Sequence, residues 1–168
     1  MDVFSRTFLP ATAEAGVPIP TVSRHMPIVR RCVDGDDTTV LVSRCTARGR
    51  TALLVLTYRR LVVTSETRLT RRLHLHLNTD LRHLNNVTWS PDLRRGTVEL
   101  AADAVDGVRE RFFLRMPQAD QVWHTAELLE HVFRGRPGLR TAPVPAHGAA
   151  HAEPRLLTGV RHFSPATA

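Results

Sequence analysis

The chain has 168 residues, a hydrophobic fraction of 42%, a charged fraction of 23% and a formal net charge of +7. That is ordinary globular composition, and a compact part of roughly 100 residues can bury a real core. Two cysteines, Cys32 and Cys45, exclude a disulfide framework, and the longest apolar stretch, Ala52–Leu56, falls far below the roughly 20 residues of a membrane helix.

All 23 basic residues are arginine. Arginine is the better bidentate phosphate ligand, yet the absence of lysine beside heavy Ala, Pro and Val usage matches a GC-rich coding bias. The excess positive charge is spread over the body and tail rather than gathered in one block, so nucleic-acid binding ranks low. Asp2 stands where a signal peptide carries its basic region, and Pro10, Gly16, Pro18 and Pro20 interrupt any apolar run. The expectation is a cytoplasmic protein with reduced thiols.

Residues 1–35 read as an N-terminal extension, irregular at first. Thr21 or Ser23 can cap a short helix through Val29–Val33, ended by Asp34-Gly35. The Asp34-Gly35-Asp36-Asp37 run lacks the spacing and distal Glu of a calcium loop and reads as a polar turn.

From Thr38 strand signals follow one another. Thr38–Thr46 alternates loosely and turns through Ala47-Arg48-Gly49 into Arg50–Thr57. Residues 52–65 hold two short apolar runs around Thr57-Tyr58-Arg59-Arg60, the pattern of core strands joined by a hairpin. Leu61–Thr67 continues the sheet. Leu73, Leu75 and Leu77 alternate with Arg72, His74 and His76, which predicts leucines toward the core and histidines toward water. Leu81–Trp89 is a further strand, stopped by Ser90-Pro91-Asp92. Thr97–Ala101 and Val108–Met116 pair across Asp103–Gly107, with Val98, Leu100, Phe112 and Leu114 inward.

Pro117 suits a first helical position. Ala119, Val122, Trp123, Ala126, Leu129, Val132 and Phe133 then form one apolar stripe, with Trp123 expected in the core. Asp120, His124, Glu127 and His131 fall on the wet side. The chain after Gly135 is Pro/Ala/Arg-rich and reads as a flexible tail, 135–168, without the apolar residues of a core. The expected fold is mainly β: a seven-stranded antiparallel barrel or sandwich, residues 36–134, capped by one C-terminal helix.

Several motifs in this order resemble the bacterial PH-like domains of the pleckstrin-homology superfold. They are the hairpin Leu56-Thr57-Tyr58-Arg59-Arg60-Leu61 with Val62-Val63, then Leu75 and Leu77 before Asp80-Leu81-Arg82-His83-Leu84. Phe112-Phe113-Leu114 follow, ahead of Ala119 and Val122. The resemblance covers about residues 36–134 and implies a non-enzymatic binding scaffold rather than a particular ligand.

Eukaryotic relatives with a lipid signature carry basic residues around the first hairpin, where this chain has Arg44, Arg48 and Arg50. These are the candidate anion or lipid ligands, set against arginines that merely coat a surface. His74, His76 and His83 offer three imidazoles without matching Cys or carboxylate spacing, and His124, Glu127 and His131 miss the His-Glu-x-x-His spacing. No nucleophile motif or Gly-rich phosphate loop is present, so no catalytic residue, metal or cofactor is expected. The leading expectation is an interaction module binding a protein or peptide partner, or itself; the alternative is peripheral binding to anionic lipid or, less favoured, nucleic acid. In the tail, Leu156, Leu157, Val160 and Phe163 form the candidate interaction segment, in cis or toward a partner.

Overall fold

A computed structural model describes residues 2–67, 70 and 72–134. Two helices come first, α1 (Val3–Glu14) and α2 (Ile19–Cys32). Seven strands follow: β1 (Thr39–Ala47), β2 (Arg50–Thr57), β3 (Arg60–Glu66), β4 (Leu73–Asp80), β5 (Asn85–Asp92), β6 (Thr97–Asp103) and β7 (Arg109–Arg115). Helix α3 (Ala119–Arg134) ends the described part. All strand pairs are antiparallel, and the sheet order is β4-β3-β2-β1-β7-β6-β5.

Each half of the sheet follows its own rule of burial. In β7 the alternation is clean: Glu110, Phe112 and Leu114 are buried and their neighbours exposed, as expected of a strand with one wet face. Phe112 and Leu114 join Val98 and Leu100 in the main core, as the sequence predicts. Strands β2 and β3 are different, because Leu53–Leu56 and Leu61–Val63 are buried without a break. Leu54, Leu56, Leu61 and Val63 face the main core under α3. Leu53, Val55 and Val62 face the other way, into a second core with Phe4, Phe8, Val17, Val22 and Val29. An unbroken apolar run is the mark of a strand covered on both sides, and α1 and α2 are the cover.

The N-terminal segment, residues 1–35, therefore differs from its expected form. It is a layer of the fold, not an extension carrying one short helix. Pro10 lies inside α1 and Pro27 inside α2, each removing a helical hydrogen bond. The second core stabilises those turns: Phe4 and Phe8 are fully buried with ring centroids 5.1 Å apart. The α2 N-cap is Pro18, with no side-chain capping bond, rather than Thr21 or Ser23. Asp2 caps α1, accepting from the Ser5 N–H at 2.7 Å and from Arg30 at 2.8 Å, which ties the start of α1 to the end of α2. Hydrogen bonding from Ser5, reinforced by Arg30, holds the Asp2 carboxyl below its ordinary range.

Three further expectations are corrected. The histidine-out, leucine-in reading of β4 holds at His74 and Leu77 but fails at Leu75 and His76, because the β3–β4 register slips between Val63 and Thr64. The bulge reverses the phase, so Leu77 stays against the main core while Leu75 is 47% exposed. The Leu81–Trp89 strand is split: Leu81–His83 is a 3-10 turn capped by Asp80, and β5 begins at Asn85. In α3, Trp123 is 54% exposed rather than buried. Thr125 takes the inward place beside Val122 and Leu129, and Trp89 of β5 supplies the indole, stacked on Phe133 at 6.1 Å.

Candidate interaction cleft

Strand β1 pairs with β2 along its length but with β7 only at Cys45, Thr46 and Ala47. The two strands part because β7 stays with β6: Arg115 pairs with Thr97, and the Met116 N–H donates to the Gly96 carbonyl at 2.9 Å. Gly96 makes that bond possible. Its φ is +60°, and a Cβ there would lie 3.2 Å from the Met116 carbonyl oxygen. Pro117 then turns the chain into α3. Among the described residues, no strand lies beside β1 on this edge between Val40 and Arg44.

The wedge so formed is a small, open-sided cleft of about 50 Å³. Val40–Ser43 make its floor, and Arg115, Met116 and Pro117 close one end. Ala11 and Glu14 of α1 with its C-cap residue Ala15 form one wall, and Gln121, His124, Thr125 and Leu128 of α3 the other. The slip in β1 pairing between Thr39 and Leu41 lets Val40 and Leu41 both pack on the main core. Small alanines keep the α1 wall low. At the rim Glu14 Oε1 and His124 Nε2 stand 4.0 Å apart, both largely exposed. Among the described residues, the cleft offers a mostly apolar floor, a strand edge without a neighbour, an acidic rim group in Glu14 and a cationic one in Arg115.

The candidate arginines do not converge. Arg44 registers with Leu53 on the α1/α2 face, whereas Arg50 registers with Ala47 on the opposite face. Arg48, in the turn between β1 and β2 with φ +47°, donates to Glu110. Leu156, Leu157, Val160 and Phe163 lie outside the described residues.

Spacing alone missed the site that Arg48 enters. Glu110 is 8% exposed and meets Arg48 of the turn and His76 of β4, whose Nε2 is 3.2 Å from Glu110 Oε2. The signal was present: Glu110 shares the inward phase of β7 with Phe112 and Leu114. His76 was masked by the β4 bulge. His74 and His83 are exposed and take no part. Among the described residues, no group of three His, Cys, Asp or Glu side chains is placed to hold a metal ion. Asp36 and Asp34 instead pair with Arg59, at 3.0 and 4.0 Å. Among the described residues, no helix is long and apolar enough to cross a membrane.

No protein-family model matches the chain, and neither does any curated protein.

Proposed function

We propose that the protein is a non-enzymatic cytoplasmic interaction module, built on a PH-like scaffold, that binds an extended peptide along the free edge of β1. The strand order and the single C-terminal helix support the PH-like reading. One observation carries the functional reading: among the described residues, β1 has a strand edge without a neighbour from Val40 to Arg44, floored by apolar side chains and walled by two helices. A peptide entering there as a strand makes main-chain hydrogen bonds for affinity, and the cleft floor selects its inward side chains. The walls also shield the edge from indiscriminate pairing, which a bare edge invites. The lipid alternative is less favoured, since Arg44 and Arg50 register on opposite faces and Arg48 is engaged by Glu110.

The test is selection from a displayed library of random octapeptides. Enriched peptides should perturb the amide resonances of Val40–Ser43 and of Gln121–Leu128, and Ala15→Trp, which fills the cleft from α1, should abolish their binding. Failure to enrich any peptide, or perturbation confined to another face, would sink the reading.

A further inference from the structure

We infer that the cleft is occupied in cis by the chain's own segment Leu156–Phe163, so that the module is self-blocked until a competing peptide displaces it. This rests on the peptide-binding reading above and adds the identity of the first occupant.

Three observations support it. The first is reach. The cleft is walled by Gln121–Leu128 of α3, and the described chain leaves α3 at Arg134. At about 1.5 Å per helical residue, the exit point lies roughly 9–20 Å from that wall. The linker 135–155 has 21 residues, and a chain of that length has a root-mean-square span of about 25 Å. A linker matched to its span raises the effective concentration of the segment to about millimolar. Even a weak strand addition is then populated.

The second is composition. Leu156, Leu157, Val160 and Phe163 place four large apolar residues within eight positions, a density matched nowhere else after α3. The floor beneath them is apolar, and the strand edge needs only their backbone.

The third is charge. The rim carboxylate of Glu14 is 72% exposed and, among the described residues, pairs with His124 alone, at 4.0 Å. Arg155 and Arg161 flank and interrupt the apolar segment. An arginine arriving at that rim gains a carboxylate partner at little desolvation cost.

Hydrogen exchange read by mass spectrometry on the full chain tests the inference. In the wild type, amides of 156–163 should exchange more slowly than those of the linker. Changing Leu156, Leu157, Val160 and Phe163 together to Ser should speed exchange of the β1 edge amides by about tenfold, as expected when a mostly closed site opens. Filling the cleft with Ala15→Trp, or from the α3 side with Gln121→Trp, should free the segment; thermal melts establish that each variant is folded. Unprotected 156–163 amides in the wild type would overturn the inference, as would protection indifferent to both cleft fillings. The octapeptides separate the two proposals. If they bind the wild type and the serine variant equally, the cleft is a peptide site without a resident occupant. If they bind neither, the peptide reading itself fails. Tighter binding to the serine variant is the result expected.

Discussion

His76 of β4 and Glu110 of β7 meet with Nε2 and Oε2 3.2 Å apart, although β4 is an edge strand and three strands separate it from β7 in the sheet order. The contact shows how far the sheet curls: its first edge bends over the main core to reach the inner face of β7. The His76 ring also stands edge-on to Phe112, with centroids 6.2 Å apart. Because Arg48 is largely exposed and Glu110 is not, the carboxylate is the member whose desolvation matters. Glu110→Leu, which replaces it by an apolar side chain of similar volume, should change stability by no more than about 1.5 kcal/mol. Glu110→Ala leaves a cavity as well and should cost more. Urea midpoints of the two variants check the order.

Phe133 and Trp123 should respond in opposite ways to truncation. Phe133 is fully buried and stacked on Trp89, so Phe133→Ala should cost about 3–5 kcal/mol. Trp123 is 54% exposed, and Trp123→Ala should stay within about 1 kcal/mol. Equal losses of denaturant midpoint would contradict the burial of Phe133 and the exposure of Trp123.

Phe8→Ala should destabilise the whole fold by about 3–5 kcal/mol, because Phe8 is a fully buried member of the second core. Its loss should appear as one cooperative transition seen equally by far-ultraviolet circular dichroism and by indole fluorescence. A separate early transition confined to the helices would mean that the second core is not continuous with the sheet.

Stability should fall with acid through His25. This residue is 3% exposed, with Nδ1 2.6 Å from Thr64 Oγ1. Burial pushes its pKa below 6.5; Glu66 pulls it up and Arg24 pushes it further down. The unfolded chain therefore binds this proton first, so the contribution is full above pH 6.5 and is lost as pH falls toward the folded value. Melting temperatures between pH 7.5 and 5 should drop for the wild type and drop less for His25→Leu. A His25 titration midpoint at or above 6.5 in the folded protein would remove the explanation. The lowered carboxyls of Asp80, at about 2, and Asp2 act only in stronger acid.

Cys45 should be inert. It is 4% exposed, and burial pushes its thiol up to about 12, while the thiolate is the reactive form. Cys32 is half-buried; burial raises its thiol pKa and the nearby Arg60 charge opposes that. A colourimetric disulfide reagent at pH 8 should titrate Cys32 first, and Cys45 only on unfolding. Early release of two thiols would show that the main core opens around β1.

The elements that sequence reading recovers are those whose burial repeats with a single period. Alternation in β7 and the stripe of α3 each report one buried face, and the short apolar runs in β2 and β3 report strands through length and flanking turns. From these the antiparallel order, the hairpins and the closing helix follow. The unbroken run of β2 also says that both faces are covered, but not by what. Only tertiary structure decides that Phe4, Phe8, Val22 and Val29 are the cover, since the helices carrying them contain prolines and gain their stability from the sheet they pack on. Bulges are equally silent: one unpaired residue in β4 exchanges the places of His76 and Leu75, and no local preference announces it. The cleft is the furthest from the sequence. It exists because the Gly96 carbonyl draws Met116 toward β6, so β7 leaves β1, and a gap between two strands has no residue of its own to mark it.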